Sequence, residues 1–462
     1  MRRPDVSREA FPSDPSLPQL TIASDPGLMR EIFRRHLRPL TAKGYDIQEC
    51  VLSRVRYRRP ARCVLQYTLR LVEPGTGRER SQWVSGLLYA EDRAAPISQR
   101  LRAADPSQEI PKAFLTFEPV SFIPDLEMLV QVFPYDRRLP TLPVLMAGPS
   151  PDLEPVLLAQ FGPGDWHTEV WTIEPVRYRA ELGAVLRYTV RARDAGTGRR
   201  ETRRVYVKVY RDDEGERTYH VLQALWGRAQ TGEEGFTVGR PLAYLSGLRA
   251  LLQEEAPGGS LQEFLLQGHD PVSTMRNVAR ALAAFNQDDL ATPRRHRLED
   301  EIHAVKRAGQ FLQWACPHLS ADVEAITGAI ASGLEEVMPG PTHRDFKLDH
   351  ILLHGDRLAL LDLDEFAEAD PVLDPATILA QLAGMRFCCA LAPDRSQRAA
   401  RTFAEEYLAH VPGAWRRRLP LHYAGASLKV AAGFFRRQEP RWPETIAALV
   451  QEARGSLTGD VW

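Results

Sequence analysis

Asp345 follows His343-Arg344 and precedes Phe346-Lys347, and the apolar run Ile351-Leu352-Leu353 comes soon after. A second apolar run, Leu358-Ala359-Leu360-Leu361, leads into Asp362-Leu363-Asp364. Both runs are β-prone, and His354-Gly355-Asp356-Arg357 between them carries Gly-Asp turn chemistry, so a hairpin is expected. Such a hairpin brings Asp345 and Asp362 to the same end. Two carboxylates so placed can divide the work of phosphoryl transfer. One accepts the proton of a hydroxyl, and the other holds a divalent ion on phosphate.

The stretch His343-Arg344-Asp345-Phe346-Lys347-Leu348-Asp349-His350 resembles the kinase catalytic loop H-R-D-L-x-x-x-N. It is closer to the H-x-D-x-x-x-x-N loop of the aminoglycoside phosphotransferase and choline kinase-like family. Asp362 falls on that family's metal-binding aspartate, and Asp370-Pro371 and Asp374-Pro375-Ala376 resemble its G-D-P and D-L-A helix start. The resemblance implies that Asp345 positions and deprotonates an acceptor hydroxyl and that Asp362 binds Mg²⁺, with Asp364 a further metal candidate. It implies that Lys347 offsets charge on the transferring group and that His343 braces the loop.

His350 stands where the family has asparagine, a second metal ligand. Mg²⁺ prefers oxygen, whereas imidazole nitrogen suits other metals. Binding through a water, a preference for Mn²⁺, a site with one metal fewer, and a loop histidine that ligates nothing all remain open. Asp364, Glu365, Glu368 and Asp370 form an acidic cluster that would suit a cationic acceptor, although acidic turns are also simply solvated or capping.

The elements that must position these residues include a duplication. Val55-Arg56-Tyr57-Arg58 recurs as Val176-Arg177-Tyr178-Arg179, Tyr67-Thr68 as Tyr188-Thr189, and Gly75-Thr76-Gly77-Arg78 as Gly196-Thr197-Gly198-Arg199. All lie at a constant spacing of 121 residues without a gap, which predicts two copies of one α+β lobe. Trp83 to Tyr89 continues the match onto Arg204 to Tyr210, and Met128-Leu129-Val130-Gln131 matches Ala250-Leu251-Leu252-Gln253. A short helix around Leu28 to Phe33 has a partner near Leu153.

Lys208, in Val205-Tyr206-Val207-Lys208-Val209-Tyr210, takes the place of the V-A-I-K lysine that neutralises nucleotide phosphates. The first copy has Leu87 there and cannot supply that charge. Glu216, at the start of the helix expected over 216–229, is the candidate partner of the lysine. The turn Arg179-Ala180-Glu181-Leu182-Gly183-Ala184, where kinases cover the phosphates, has one glycine. Leu251 to Leu261 resembles the family's hinge, with the backbone of Glu254 to Ala256 reading adenine and Ser260 capping the next helix.

A chain of 462 residues is too long for one core, and its net charge of −1 gives no general pull toward nucleic acid or membrane. Five cysteines match neither a zinc site nor a disulfide framework, and the start lacks an apolar leader core. A cytoplasmic protein is expected.

The expected fold class is α+β: a protein kinase-like two-lobe fold with a mostly helical C-lobe, preceded by a duplicated N-lobe-like domain. Residues 1–20 are expected as a flexible tail, 21–148 as the degenerate copy, 149–260 as the N-lobe and 261–462 as the C-lobe. The expected function is ATP-dependent phosphorylation of a small-molecule hydroxyl on an aminoglycoside-, amino-alcohol- or sugar-like acceptor, with ATP and Mg²⁺ or Mn²⁺. An inactive pseudokinase that binds nucleotide or protein is the alternative. The first copy is a candidate lid or homodimer interface.

Overall fold

The computed structural model describes residues 11–40, 44–58, 62–91, 93–104, 106–114, 116–231, 235–290, 292, 294–355 and 357–459. They form two compact units. The first comprises residues up to Gly215 with Leu242–Gln253 and Arg436–Gln438, and the second comprises Glu216–Pro241, Glu254–Phe435 and Glu439 onward.

The chain begins with α1 (Leu20–Ala23) and α2 (Pro26–His36). Asp25 caps α2 by accepting from the Gly27 and Leu28 amides at 2.7 and 3.1 Å, with Pro26 in the first turn. Arg34, Arg35 and His36 in the last turn oppose the helix dipole. The expected loose tail is shorter than 1–20: Leu17 and Leu20 are fully buried and Asp14 accepts from the buried Tyr57 hydroxyl. Residues 1–10 lie outside the described residues.

Strands β1 (Asp46–Arg58), β2 (Arg62–Val72) and β3 (Glu79–Tyr89) lead through α3 (Ala94–Ala103) to β4 (Val120–Ile123) and β5 (Met128–Val132). After α4 (Leu142–Ala147) and α5 (Glu154–Leu158) come β6 (Trp166–Arg179), β7 (Gly183–Asp194) and β8 (Arg200–Tyr210). Helix α6 (Glu214–Thr231) and β9 (Phe236–Val238) then precede β10 (Pro241–Leu245) and β11 (Ala250–Glu254).

The sequence repeat is matched strand for strand. The first sheet runs β1-β2-β3-β5-β4 and the second β6-β7-β8-β11-β10. Val64 pairs with Leu87 in the first, and Val185 with Lys208 in the second. The bulge between Ile47 and Glu49 recurs between Thr168 and Val170. The turn before β5 ends on Glu127 at φ 44°, and the turn before β11 on Arg249 at φ 47°.

Alternation along β7 buries Ala184, Leu186, Tyr188, Val190 and Ala192. These join Val64, Leu87 and Leu129 of the first copy in one apolar cluster. Leu87 is 0% exposed there. A lysine at that position would place an unpaired charge in a dry core, which accounts physically for its absence from this copy.

The β6–β7 turn is bound by the first copy. Tyr178 stacks on Trp83 and packs against Phe133, with centroids 5.8 and 5.0 Å apart, and donates its hydroxyl to Asp136 at 2.8 Å. The Gln66 amide bonds the Tyr178 carbonyl and the Ala180 N–H at 3.1 and 3.2 Å. Glu181, 2% exposed and at φ 61°, takes Arg56 at 2.7 Å, Arg137 at 3.2 Å and Arg62. Burial raises its carboxyl, but the three guanidinium groups outweigh burial and hold it below the ordinary value.

In the second unit, β12 (Gly259–Ser260) leads into α7 (Leu261–Leu266), capped by Ser260, then α8 (Val272–Asn286), α9 (Leu298–Ala315) and α10 (Ser320–Gly333). Strand β13 (Gly340–Thr342) is followed by β14 (Ile351–His354), β15 (Arg357–Leu360) and β16 (Ala367–Ala369). Helices α11 (Leu373–Phe387), α12 (Pro393–Ala409), α13 (Gly413–Arg436) and α14 (Trp442–Thr458) close the chain.

Strands β14 and β15 form the expected antiparallel hairpin, with Ile351 opposite Leu360. Gly355 supplies φ 59° in the two-residue connection, and Asp356 lies outside the described residues. Strand β15 runs parallel to β9, and β14 pairs with β12. Gly258, at φ 107°, lets the chain approach β14 where a Cβ would run into the Leu353 carbonyl. Phe285, Phe346, Phe366, Phe403 and Tyr407 are buried among the helices. Among the described residues no helix is long and apolar enough to cross a membrane.

Candidate active site

Strand β13 pairs with β16, Thr342 opposite Ala367, so the catalytic loop leaves β13 beside the acidic turn that follows β15. Both backbones bend sharply there: Arg344 sits at φ 63° and Asp362 at φ 58°. Asp374, at the start of α11, holds the first bend. Its two carboxylate oxygens accept from the His343 and Arg344 amides, each at 2.8 Å, and from Asn286 Nδ2 at 3.1 Å. Asn286 also donates to the Pro341 carbonyl at 2.9 Å and accepts from the Tyr407 hydroxyl at 3.0 Å. Burial pushes the Asp374 carboxyl up, against His343 and these N–H donors.

His343 is fully buried, and burial holds its ring below the ordinary imidazole value. Its Nε2 lies 2.9 Å from the Leu361 carbonyl, which can only accept, so Nε2 carries the proton. Nδ1 is then free to accept the Asp345 amide at 3.4 Å. The ring therefore ties the loop to the end of β15.

Asp345 is half-buried, with Lys347 Nζ 2.6 Å from its carboxylate. Burial raises its carboxyl, but Lys347 and His350 more than offset that, so it lies below the ordinary carboxylate value and is ionised at neutral pH. Phe346 and Leu348, both buried, anchor the loop from beneath. His350 lies in a short turn, and its ring Nδ1 is 3.0 Å from the Asp345 carbonyl.

Donor atoms of Asp345, His350 and Asp362 all lie within 4.8 Å of one another. Two carboxylates and an imidazole with an unpartnered buried Nε2 suit a divalent cation. Asp364 is not in this group. Its carboxylate accepts from the Thr218 hydroxyl at 3.2 Å, and its carbonyl accepts from Arg294 at 2.6 Å. The turn after Asp362 aims it at α6, apart from the Asp345–His350–Asp362 group.

The acidic cluster is also neutralised within the second unit. Glu365 takes Arg294 and Arg344 at 2.8 and 3.0 Å, Glu368 takes Arg295 at 3.0 Å, and Asp370 takes Arg418 and His422, each at 2.8 Å. Arginines far away in sequence thus remove the electrostatic reason to expect a cationic acceptor.

The sequence-predicted nucleotide residues are spread over both units. Lys208 lies on β8 of the first unit, its Nζ 5.5 Å from the Tyr210 ring centroid. Glu216 is exposed in the first turn of α6, in the second unit. Glu254 and Ala256 are partly buried at the end of β11 and beyond. The Glu254 amide is engaged by the Arg240 carbonyl at 2.9 Å, so it does not point outward to a base. Sequence reasoning assigned Asp374 no task and overlooked Asn286. Asp374 could have been found from its place in the D-L-A-like start of α11, whereas Asn286 carries no local signal.

Solved structures of low identity align with the chain. A choline/ethanolamine kinase family protein from Mesorhizobium loti is 10% identical over 62% of this chain and 88% of that one, with a TM-score of 0.39. Choline kinase from Cryptosporidium parvum is 9% identical over 62% and 89%, at 0.42. The ADP-bound aminoglycoside phosphotransferase APH(2'')-Ib is 12% identical over 68% and 100%, at 0.39. No curated protein matches the chain. Residues 183–421, more than half of the chain, match the phosphotransferase enzyme family (APH), and so the protein belongs to that family and has its protein kinase-like fold.

Proposed function

We propose that the protein transfers the γ-phosphoryl group of ATP to a hydroxyl of a small molecule. The observation that carries this reading is the position of Asp345. It is fixed from behind by His343 and Asp374, paired with Lys347, and grouped with His350 and Asp362.

In this reading Asp345 orients the acceptor hydroxyl. Its low pKa makes it a weak base, which suits a loose transition state in which the hydroxyl gives up its proton late. Lys347 offsets charge on the group in transit. Asp362 and His350 hold a divalent ion, which when bound neutralises charge on the nucleotide phosphates. Lys208 adds positive charge to the phosphates, and the backbone from beyond the Glu254 amide to Ala256 reads adenine. Acceptors are alcohols of the amino-alcohol, sugar or aminoglycoside type, with their charge unspecified by the neutralised acidic turn.

The test is Asp345→Asn, an isosteric change that removes the charge. Transfer to the acceptor is expected to fall by about 10²–10⁴-fold while ATP affinity stays within about twofold. A variant that retains a tenth or more of wild-type turnover, by roughly the same scale, contradicts the assignment.

A further inference from the structure

His350 is committed to one tautomer by its surroundings. The Asp345 carbonyl, 3.0 Å from Nδ1, can only accept, so Nδ1 carries the proton and Nε2 of the neutral ring keeps its lone pair. The residue is 3% exposed, and Nε2 has no hydrogen-bond partner among the described residues. Two carboxylate oxygens face it, Oδ2 of Asp362 at 3.7 Å and Oδ2 of Asp349 at 3.9 Å, which are acceptors as well. A buried lone pair facing carboxylates is costly unless something positive lies between them. A proton on Nε2 serves poorly, because both separations exceed hydrogen-bond length. A metal ion serves well: two donors each about 2.1 Å from an ion, at an open angle, stand about 3.7 Å apart.

We propose that His350 Nε2 and the Asp362 carboxylate form a mixed imidazole–carboxylate site that selects a first-row divalent transition ion over Mg²⁺. The ion's task rests on the phosphotransferase reading, but its coordination does not. Mg²⁺ demands oxygen ligands in near-octahedral array, whereas imidazole nitrogen binds first-row ions with strength rising from Mn²⁺ to Cu²⁺. Histidine in place of the motif's asparagine therefore changes the donor chemistry while the hairpin that aims it stays the same.

The experiment titrates Mn²⁺ into the full chain without nucleotide, follows free Mn²⁺ by electron paramagnetic resonance, and reads nitrogen coupling by spin-echo modulation. Mg²⁺ is the competitor. Expected are a bound ion coupled to one imidazole nitrogen and a Mn²⁺ preference over Mg²⁺ of about tenfold or more. In His350→Asn the nitrogen modulation disappears and the preference drops by about tenfold. Absence of Mn²⁺ binding, binding without nitrogen coupling, or an unchanged preference in His350→Asn each overturns the proposal. The wild-type spectrum decides alone if the variant does not fold. A nitrogen-coupled ion in a protein that never turns over ATP leaves this site standing and removes the proposed function. Turnover with Mg²⁺ and no nitrogen coupling does the reverse.

Discussion

At the scale of residues, the reactive geometry depends on groups that do no chemistry. Asp374 gives one oxygen to each of two consecutive amides, His343 and Arg344, at a left-handed bend. Asparagine at 374 has only one acceptor oxygen, and its NH₂ would face an amide that also donates. Asp374→Asn is therefore expected to cost about 2–3 kcal/mol, read from the denaturant midpoint, and to lower turnover more than nucleotide affinity. Unchanged stability would mean that the bend is held by something else. That Asp345, Lys347, His343 and Asp362 come together at one end of the hairpin was legible in the sequence because their spacing is local. The direction of Asp364 was not legible, because spacing along the chain does not show which way a turn aims a carboxylate. The pairing of the acidic cluster was not legible because its arginine partners lie at 294, 295 and 418.

At the scale of elements, the gapless repeat makes the strands of both sheets legible in the sequence, since two β-rich runs and their turns recur in one register. It could not show that the two copies pack on each other. Glu181 meets Arg56 and Arg62 across more than a hundred residues, and no periodicity carries such a pairing. Glu181→Ala leaves three guanidinium groups without their buried partner and is expected to cost about 3 kcal/mol, measured by chemical denaturation. The pH dependence has a definite sign. The folded carboxyl lies below its ordinary value of 4.5, so its stabilisation is complete above that pH and is lost as pH falls through the lower folded value. Glu181→Gln should remove this part of the acid sensitivity, visible as a smaller drop in the melting midpoint between neutral pH and pH below 4.5. An identical drop in both proteins would sink the argument.

At the scale of the whole molecule, the first copy lacks the lysine because the face that would carry it is buried against the second copy. Removing residues 1–145 should therefore expose Leu186, Tyr188, Val190, Val205 and Val207, all buried in the full chain. The truncated protein is expected to aggregate or to bind a hydrophobic dye. A soluble, fully active monomer would show that the first copy is dispensable. The helical character of the second unit was expected from the family resemblance, but the helix contacts that brace the loop were not, since Asn286 and Tyr407 come together only through packing of α8 on α12. Whether the protein binds ATP for transfer is decided by calorimetric titration of ATP with Mg²⁺, with Mn²⁺ and without metal, into wild type, Lys208→Ala and Asp345→Asn. Metal-dependent binding that Asp345→Asn keeps and Lys208→Ala loses is the predicted result, and no binding with any metal would contradict it.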